Sequence, residues 1–251
     1  MAVPSFRLDD KIVVVTGASR GLGRAMALGF AASGADVVVS SRRVAACEQV
    51  ADEIRALGRR ALAVGCHVAS WDECEKLITE AVAEFGALDV LVNNAGIAPV
   101  PPSLAEVSED LFDKTIGVDL KGPLRLMGLA ASVLRPGGSI INISSKASIR
   151  PSPQTVVYSA AKAGLNALTA AAAQELGPKG IRVNAIVCGP FHTDSFDKQI
   201  PTPDAERAVA SRLALGRIGV TEDVVGTAVF LASEASSYMT GTLVSLDGGG
   251  G

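Results

Sequence analysis

The sequence predicts an α/β fold, a doubly wound parallel sheet of about seven strands with helices on both faces. Three observations carry the prediction. Short β-branched runs alternate with longer stretches of helical spacing, the pattern of parallel strands joined by crossover helices. Those runs are almost continuously apolar, as strands covered on both faces must be. With 251 residues, 48% of them hydrophobic and 20% charged, the chain can bury a sizeable core and lacks the composition of a disordered segment.

In chain order the strands are "KIVVVTG", "ADVVVSS", "RALAVGC", "LDVLVNN", "GSIINIS", "IRVNAIV" and "TLVSLDG". Helical stretches lie between the first six and before the last. After the first strand, Gly17, Gly21 and Gly23 permit a tight turn into a helix that starts near Leu22. No internal repeat or composition break marks a linker, so residues 1–251 read as one domain. The exception to regularity is "CGPFHTDSFDKQIPTPDAERAVASRLALGRIG", rich in Pro, Gly and polar residues at first and helical from about Asp204. A long insertion in a compact domain usually serves function, so a lid over a site is expected at about 190–215, with a passive excursion as the plain alternative.

Bulk properties narrow the partners. A net charge of -3 gives no electrostatic footprint for nucleic acid or an anionic membrane. No apolar run is long enough to cross a bilayer, and the N-terminus carries no secretory pattern, so a cytoplasmic location is expected. Cys47, Cys66, Cys74 and Cys188 form no C-x-x-C pair and read as buried thiols. His67 and His192 are the only histidines and stand far apart, so no metal site is expected. A small-molecule partner is what remains.

The glycine turn admits two chemistries. A first β-α turn with glycines, opening a helix, suits a dinucleotide pyrophosphate, because backbone can approach closely and the helix N-terminus presents free N–H groups. The same "GASRG" also fits G-x-S-x-G, the nucleophile elbow of an α/β-hydrolase, with Ser19 attacking and His192 as base. Against the hydrolase stand the position on the first strand, the missing oxyanion loop and the lack of a late histidine. At the end of the second strand, where a carboxylate would bind the ribose of NAD, Ser41 and Arg42 stand, with Arg43 after them and Arg20 in the turn. Guanidinium groups bind a 2'-phosphate through charge-assisted hydrogen bonds, which favours NADP(H), although arginines at strand ends are also ordinary solvated residues.

"VVYSAAKAG" sets Tyr158 four residues before Lys162, on one face of a helix. Alone, this fits an incidental surface pair equally well. Together with "TGASRGLG", "NNAG" from Asn93 to Gly96, Ser145 thirteen residues before "YSAAK", and "MTGTLVSLDGG", however, the chain resembles the classical short-chain dehydrogenase/reductase family over essentially its whole length. The resemblance implies a Rossmann-type oxidoreductase that moves hydride between NADP(H) and a ketone/secondary alcohol pair. It implies Tyr158 as general acid or base, Lys162 as the charge that lowers the phenol pKa, and Ser145 as the donor to the substrate oxygen. Cofactor contacts are implied at Gly17, Ser19, Arg20, Gly21, Leu22, Gly23, Ser41, Arg42, Arg43, His67, Val68, Asn94, Ala95, Gly96, Tyr158, Lys162, Gly189, Phe191 and Thr193, with Asn93 in the same fourth-strand turn. Family likeness further implies a homotetramer or homodimer.

Three departures from the family pattern stand out. Asp119 occupies the place of an asparagine that orders a water leading to the lysine, which predicts a working relay with Tyr158 titrating higher than usual. His67 stands where an aspartate commonly meets the adenine. Cys188 replaces the proline before the nicotinamide-binding glycine, a change in loop stiffness. The pocket walls, Ile97 to Pro102, Ala147 to Pro153 and Phe191 to Ile200, are largely apolar, which favours a small neutral or hydrophobic carbonyl substrate. A 3-oxoacyl thioester, a sugar, and a non-catalytic NADP-binding sensor or scaffold are the alternatives.

Overall fold

The computed structural model describes residues 5–250. All seven expected runs form strands: β1 (Ile12–Thr16), β2 (Asp36–Ser41), β3 (Ala61–Gly65), β4 (Leu88–Asn93), β5 (Leu134–Ser145), β6 (Arg182–Cys188) and β7 (Leu243–Leu246). They make one parallel sheet in the order β3-β2-β1-β4-β5-β6-β7. The chain reverses direction across the sheet between β1 and β4, and the carboxyl ends of those strands flank the crevice where such sheets take ligands.

Alternation within the strands builds two cores. Val13, Val15, Val37 and Val39 face one side, packing with Met26 and Phe30 of α1 (Gly21–Ala32), Val50 and Ile54 of α2 (Val44–Ala56), and Val224 and Leu231 of the last helix. Val14, Val38, Leu91 and Ile140 face the other, against Leu77 of α3 (Trp71–Phe85), Leu126 of α5 (Gly122–Ala130) and Leu176 of α6 (Val156–Leu176). A period of two over strands that are mostly apolar therefore feeds both faces, as the doubly wound fold requires.

Helix ends follow local chemistry. Ser70 caps α3 by accepting from Glu73 N, and Gly86 ends it in the left-handed region. Two features differ from expectation. β5 begins at Leu134, pairs once with Leu88, and shifts register before Val90 meets Ser139, because Pro136, Gly137 and Gly138 interrupt the ladder. The segment expected to form a lid is helical earlier than the sequence suggested: α7 (Asp194–Gln199) precedes α8 (Pro203–Ala210), and α9 (Asp223–Ala232) follows. Thr193 caps α7 by accepting from Phe196 N at 3.3 Å. Among the described residues no helix is long and apolar enough to cross a membrane.

Candidate active site and dinucleotide cleft

The glycine turn is held from the neighbouring strand. Thr16 Oγ1 accepts from Asn94 N at 3.0 Å and Ala95 N at 3.1 Å, and Asn94 Nδ2 donates to Thr16 O at 2.9 Å and Gly17 O at 3.2 Å. Gly17 adopts φ +64°, and a Cβ there would lie 2.8 Å from Ala95 Cα. Both conditions call for glycine. Asn93 instead turns inward and donates to Asn142 Oδ1 at 2.9 Å, bracing β4 to β5. Thr16 carries no sequence signal of this role beyond ending an apolar strand.

The first turn of α1 fits a phosphate. Its N-cap, Arg20, makes no side-chain cap and no acid lies in the first turn, so the backbone donors at Gly21, Leu22 and Gly23 have no side chain competing for them. Thr193 faces this turn, since a Cβ on Gly21 would meet its Cγ2 at 3.6 Å. The β2 and β3 ends lie alongside: Ala18 N donates to Ser40 O, and Cys66 N to Ser41 O, both at 3.0 Å. Arg42 and Arg43 are exposed, and neither pairs with a carboxylate among the described residues. Arg20, by contrast, is engaged with Asp194 at the start of α7 at 2.6 Å. His67 is committed to its own turn, its Nδ1 accepting from Ala69 N at 3.2 Å, while Val68 is buried beside it.

The hydroxyl, phenol and ammonium gather at the carboxyl end of β5. Ser145 ends that strand and Tyr158 lies in the first turn of α6. Lys162, 3% exposed, sits one turn below. Its Nζ donates to Ile143 O at 2.9 Å, stands 3.1 Å from Asp119 Oδ1, and lies 5.8 Å from the centre of the Tyr158 ring. A buried ammonium so placed is not an incidental surface pair.

Asp119 is wholly buried in a π-helical turn, Gly117–Lys121, between α4 (Glu109–Ile116) and α5. Such turns frequently mark functional positions. Its Oδ2 accepts from Ile97 N at 3.2 Å, whereas Oδ1 meets the ammonium without a well-aligned hydrogen bond. Burial pushes the Asp119 pKa up, and the Lys162 charge works against that. Tyr158 is likewise pushed up by burial; Lys162 opposes it, Asp119 adds to it, and the Ser145 hydroxyl opposes it again. For Lys162, burial alone would lower the pKa, but Asp119 and Tyr158 raise it on balance.

Neighbouring groups settle other readings. His192 faces Asp197 Oδ1 and Glu206 Oε1 at 3.4 Å each, and no hydrogen bond joins it to Ser19 among the described residues. The elbow chemistry therefore has no base in place. Cys188 is buried, and burial pushes its thiol up to about 12. At neutral pH it is a protonated, unreactive thiol. Phe191 packs its ring in the core, and any cofactor contact from it must come from backbone.

A family profile described as enoyl-(acyl carrier protein) reductase matches residues 17–250. L-Rhamnose 1-dehydrogenase (NAD(P)(+)) of Azotobacter vinelandii is 41% identical over 249 residues, covering 96% of this chain and 97% of that protein. Human dehydrogenase/reductase SDR family member 4 is 35% identical, covering 96% of this chain and 88% of that protein. A short chain dehydrogenase from Burkholderia cenocepacia in complex with NADP superimposes with a TM-score of 0.92 at 35% identity, covering 97% of this chain and 99% of the other.

Proposed function

This chain belongs to the short-chain dehydrogenase/reductase family of oxidoreductases, and from that premise we propose that it transfers hydride between NADP(H) and a small neutral ketone/secondary alcohol pair. The observation that supports the reading most is the buried Lys162 ammonium between Asp119 and the Tyr158 ring. Burial raises the Tyr158 pKa, and the Lys162 charge opposes it, so the phenolate costs less here than in the same dry site without the cation. When bound across the β1 and β4 ends, a nicotinamide dinucleotide supplies or takes up the hydride. Tyr158 gives its phenolic proton to the carbonyl oxygen in reduction and takes the hydroxyl proton in oxidation. Ser145 donates to the same oxygen and stabilises the charge that develops there. Lys162 stays charged through both directions, held by Ile143 O and Asp119.

Preference for NADP(H) rests on Ser41, Arg42 and Arg43 at the β2 end, where guanidinium groups attract a 2'-phosphate and no carboxylate repels it. The segments Ile97 to Pro102 and Ala147 to Pro153, rich in Pro, Ala and Ile with Arg150 their one charged residue, favour a neutral or hydrophobic substrate. A second reading, oxidation of a sugar at its anomeric hydroxyl, is favoured by the rhamnose-oxidising relative at 41% identity. We also propose a homotetramer or homodimer assembled through the helices carrying Asp119 and Tyr158, in a cytoplasmic setting. The test is a panel of aliphatic, aryl and cyclic ketones, a 3-oxoacyl thioester, secondary alcohols and aldoses, each with both phosphorylated and unphosphorylated cofactor. NADPH-selective ketone turnover supports the first reading. Turnover confined to aldoses replaces it with the second, and NADPH binding without turnover of any member contradicts both.

A further inference from the structure

We propose that Lys146 and Asp247 form a positioning strap that fixes Ser145 and the residue 189–193 segment relative to each other; the inference rests on the hydride-transfer reading above. Ser145, Cys188 and Leu246 lie in register across β5, β6 and β7. Lys146, Gly189 and Asp247 are therefore the first residues past three adjacent strand ends. Two strand spacings separate the outer pair by about 9.5 Å of backbone. Lys146 nonetheless reaches Asp247 Oδ2 at 2.7 Å, over the exit of β6.

Gly189 makes the crossing possible. A Cβ there would stand 2.6 Å from Asp247 Cα and 2.7 Å from its Cβ. Gly189 N donates to Leu246 O at 3.0 Å, so the β6 exit is bonded to the β7 end directly beneath the strap. Asp247 Oδ1 accepts from Gly249 N at 3.1 Å, which leaves Oδ2 aimed at the lysine. The Asp247 side chain is 11% exposed and that of Lys146 28%, so the pair is screened much less than a surface bridge.

A second tie holds the same turn from the helix side. Asn166 Nδ2 donates to Ser148 Oγ at 2.8 Å, and Ser148 Oγ donates to Ser145 O at 2.6 Å. With one tie to α6, which carries Tyr158, and the other to β7, the Ser145 hydroxyl is located relative to both the phenol and the segment entering the lid. Lys146 and Asp247 touch no reacting atom in this account. They act through Ser145 and Gly189.

The test uses the full chain, with Lys146→Met, Asp247→Asn, the double variant, and the exchange Lys146→Asp with Asp247→Lys. Displacing a catalytic group by a fraction of an ångström lowers kcat about ten- to a hundredfold. We expect that loss in each single variant, with the KM for the carbonyl substrate unchanged within about twofold and the double variant no worse than either single, as coupled partners require. The exchanged pair should recover part of the loss. Amide hydrogen exchange should quicken in residues 144–149 and 189–193 of the single variants and not in α1 or α3. Unchanged exchange in those two segments overturns the strap whatever the substrate, as do single-variant losses that add in the double. Quickened exchange in a protein with no Tyr158-dependent turnover would leave the strap standing and refute the hydride-transfer reading instead.

Discussion

Replacing Asp119 by asparagine removes a buried negative charge while keeping nearly the same shape and a hydrogen-bond acceptor. The carboxylate lies 3.1 Å from Lys162 Nζ, and that nitrogen lies 5.8 Å from the Tyr158 ring centre, which puts carboxylate and phenol within about 9 Å of each other. At an effective dielectric of about 20, unit charges so separated repel by roughly 2 kcal/mol, or slightly more than one unit of pKa. Asp119 raises the Tyr158 pKa, so its neutralisation must lower it. In the oxidative direction Tyr158 acts as the base, so the acid limb of the pH profile for kcat/KM should move to lower pH by about one unit in Asp119→Asn. The three groups titrate as one coupled unit, so the shift is read as a change in the apparent value of the profile. Stopped-flow oxidation of the best panel alcohol across pH, wild type against variant, measures it. A profile that stays in place, or moves upward, refutes the electrostatic role assigned to Asp119.

Other outcomes follow from single sites. Gly17→Ala places a side chain at φ +64° and against Ala95 Cα; backbone strain of about 1–2 kcal/mol should lower the melting temperature and weaken NADPH binding, and unchanged fluorescence titration would contradict the close approach. Asp36 is buried, which alone would raise its pKa, but hydrogen bonds from Arg60 and the Arg59 and Arg60 charges outweigh burial and hold it low. Its contribution is present above the unfolded pKa and lost as pH falls through the folded one. Asp36→Asn should therefore cost about 1–2 kcal/mol near neutrality, with the gap closing below about pH 4, and equal urea midpoint shifts at both pH values would contradict this. Cys188, with its thiol pushed up to about 12, should resist iodoacetamide in the folded protein at neutral pH, whereas rapid labelling seen by mass spectrometry would show a thiolate that the burial argument denies.

The parts of the fold that were legible in the sequence are those fixed by short-range chemistry. Apolar runs marked the strands, because the buried central strands β1, β2, β4 and β6 pack most of their residues into the two cores. Tyr158 and Lys162 were legible as a pair because a helix puts them one turn apart. Helix α7 was obscured: Thr193 caps it and Asp194 opens it, but the surrounding Pro and Gly suggested irregular chain. The pairings Arg20–Asp194 and Lys146–Asp247 join residues 174 and 101 positions apart. No local pattern announces them, and they exist only because the sheet brings strand ends together. Arg20 meets Asp194 across two exposed side chains, so the glycine turn and the segment after β6 are also brought together only in the fold. The π turn beneath Asp119 likewise has no local signature, since Gly117–Lys121 is flanked by ordinary helix on both sides.

The central claim is that Tyr158, with Lys162 beside it and Ser145 facing the same oxygen, moves the substrate proton while NADP(H) exchanges hydride. Its most direct test is NADPH consumption with the best ketone of the panel by wild type and Tyr158→Phe, with cofactor binding checked in both. The account predicts a loss in kcat of at least about a hundredfold with the NADPH dissociation constant unchanged. Turnover in Tyr158→Phe within a few-fold of wild type would contradict it.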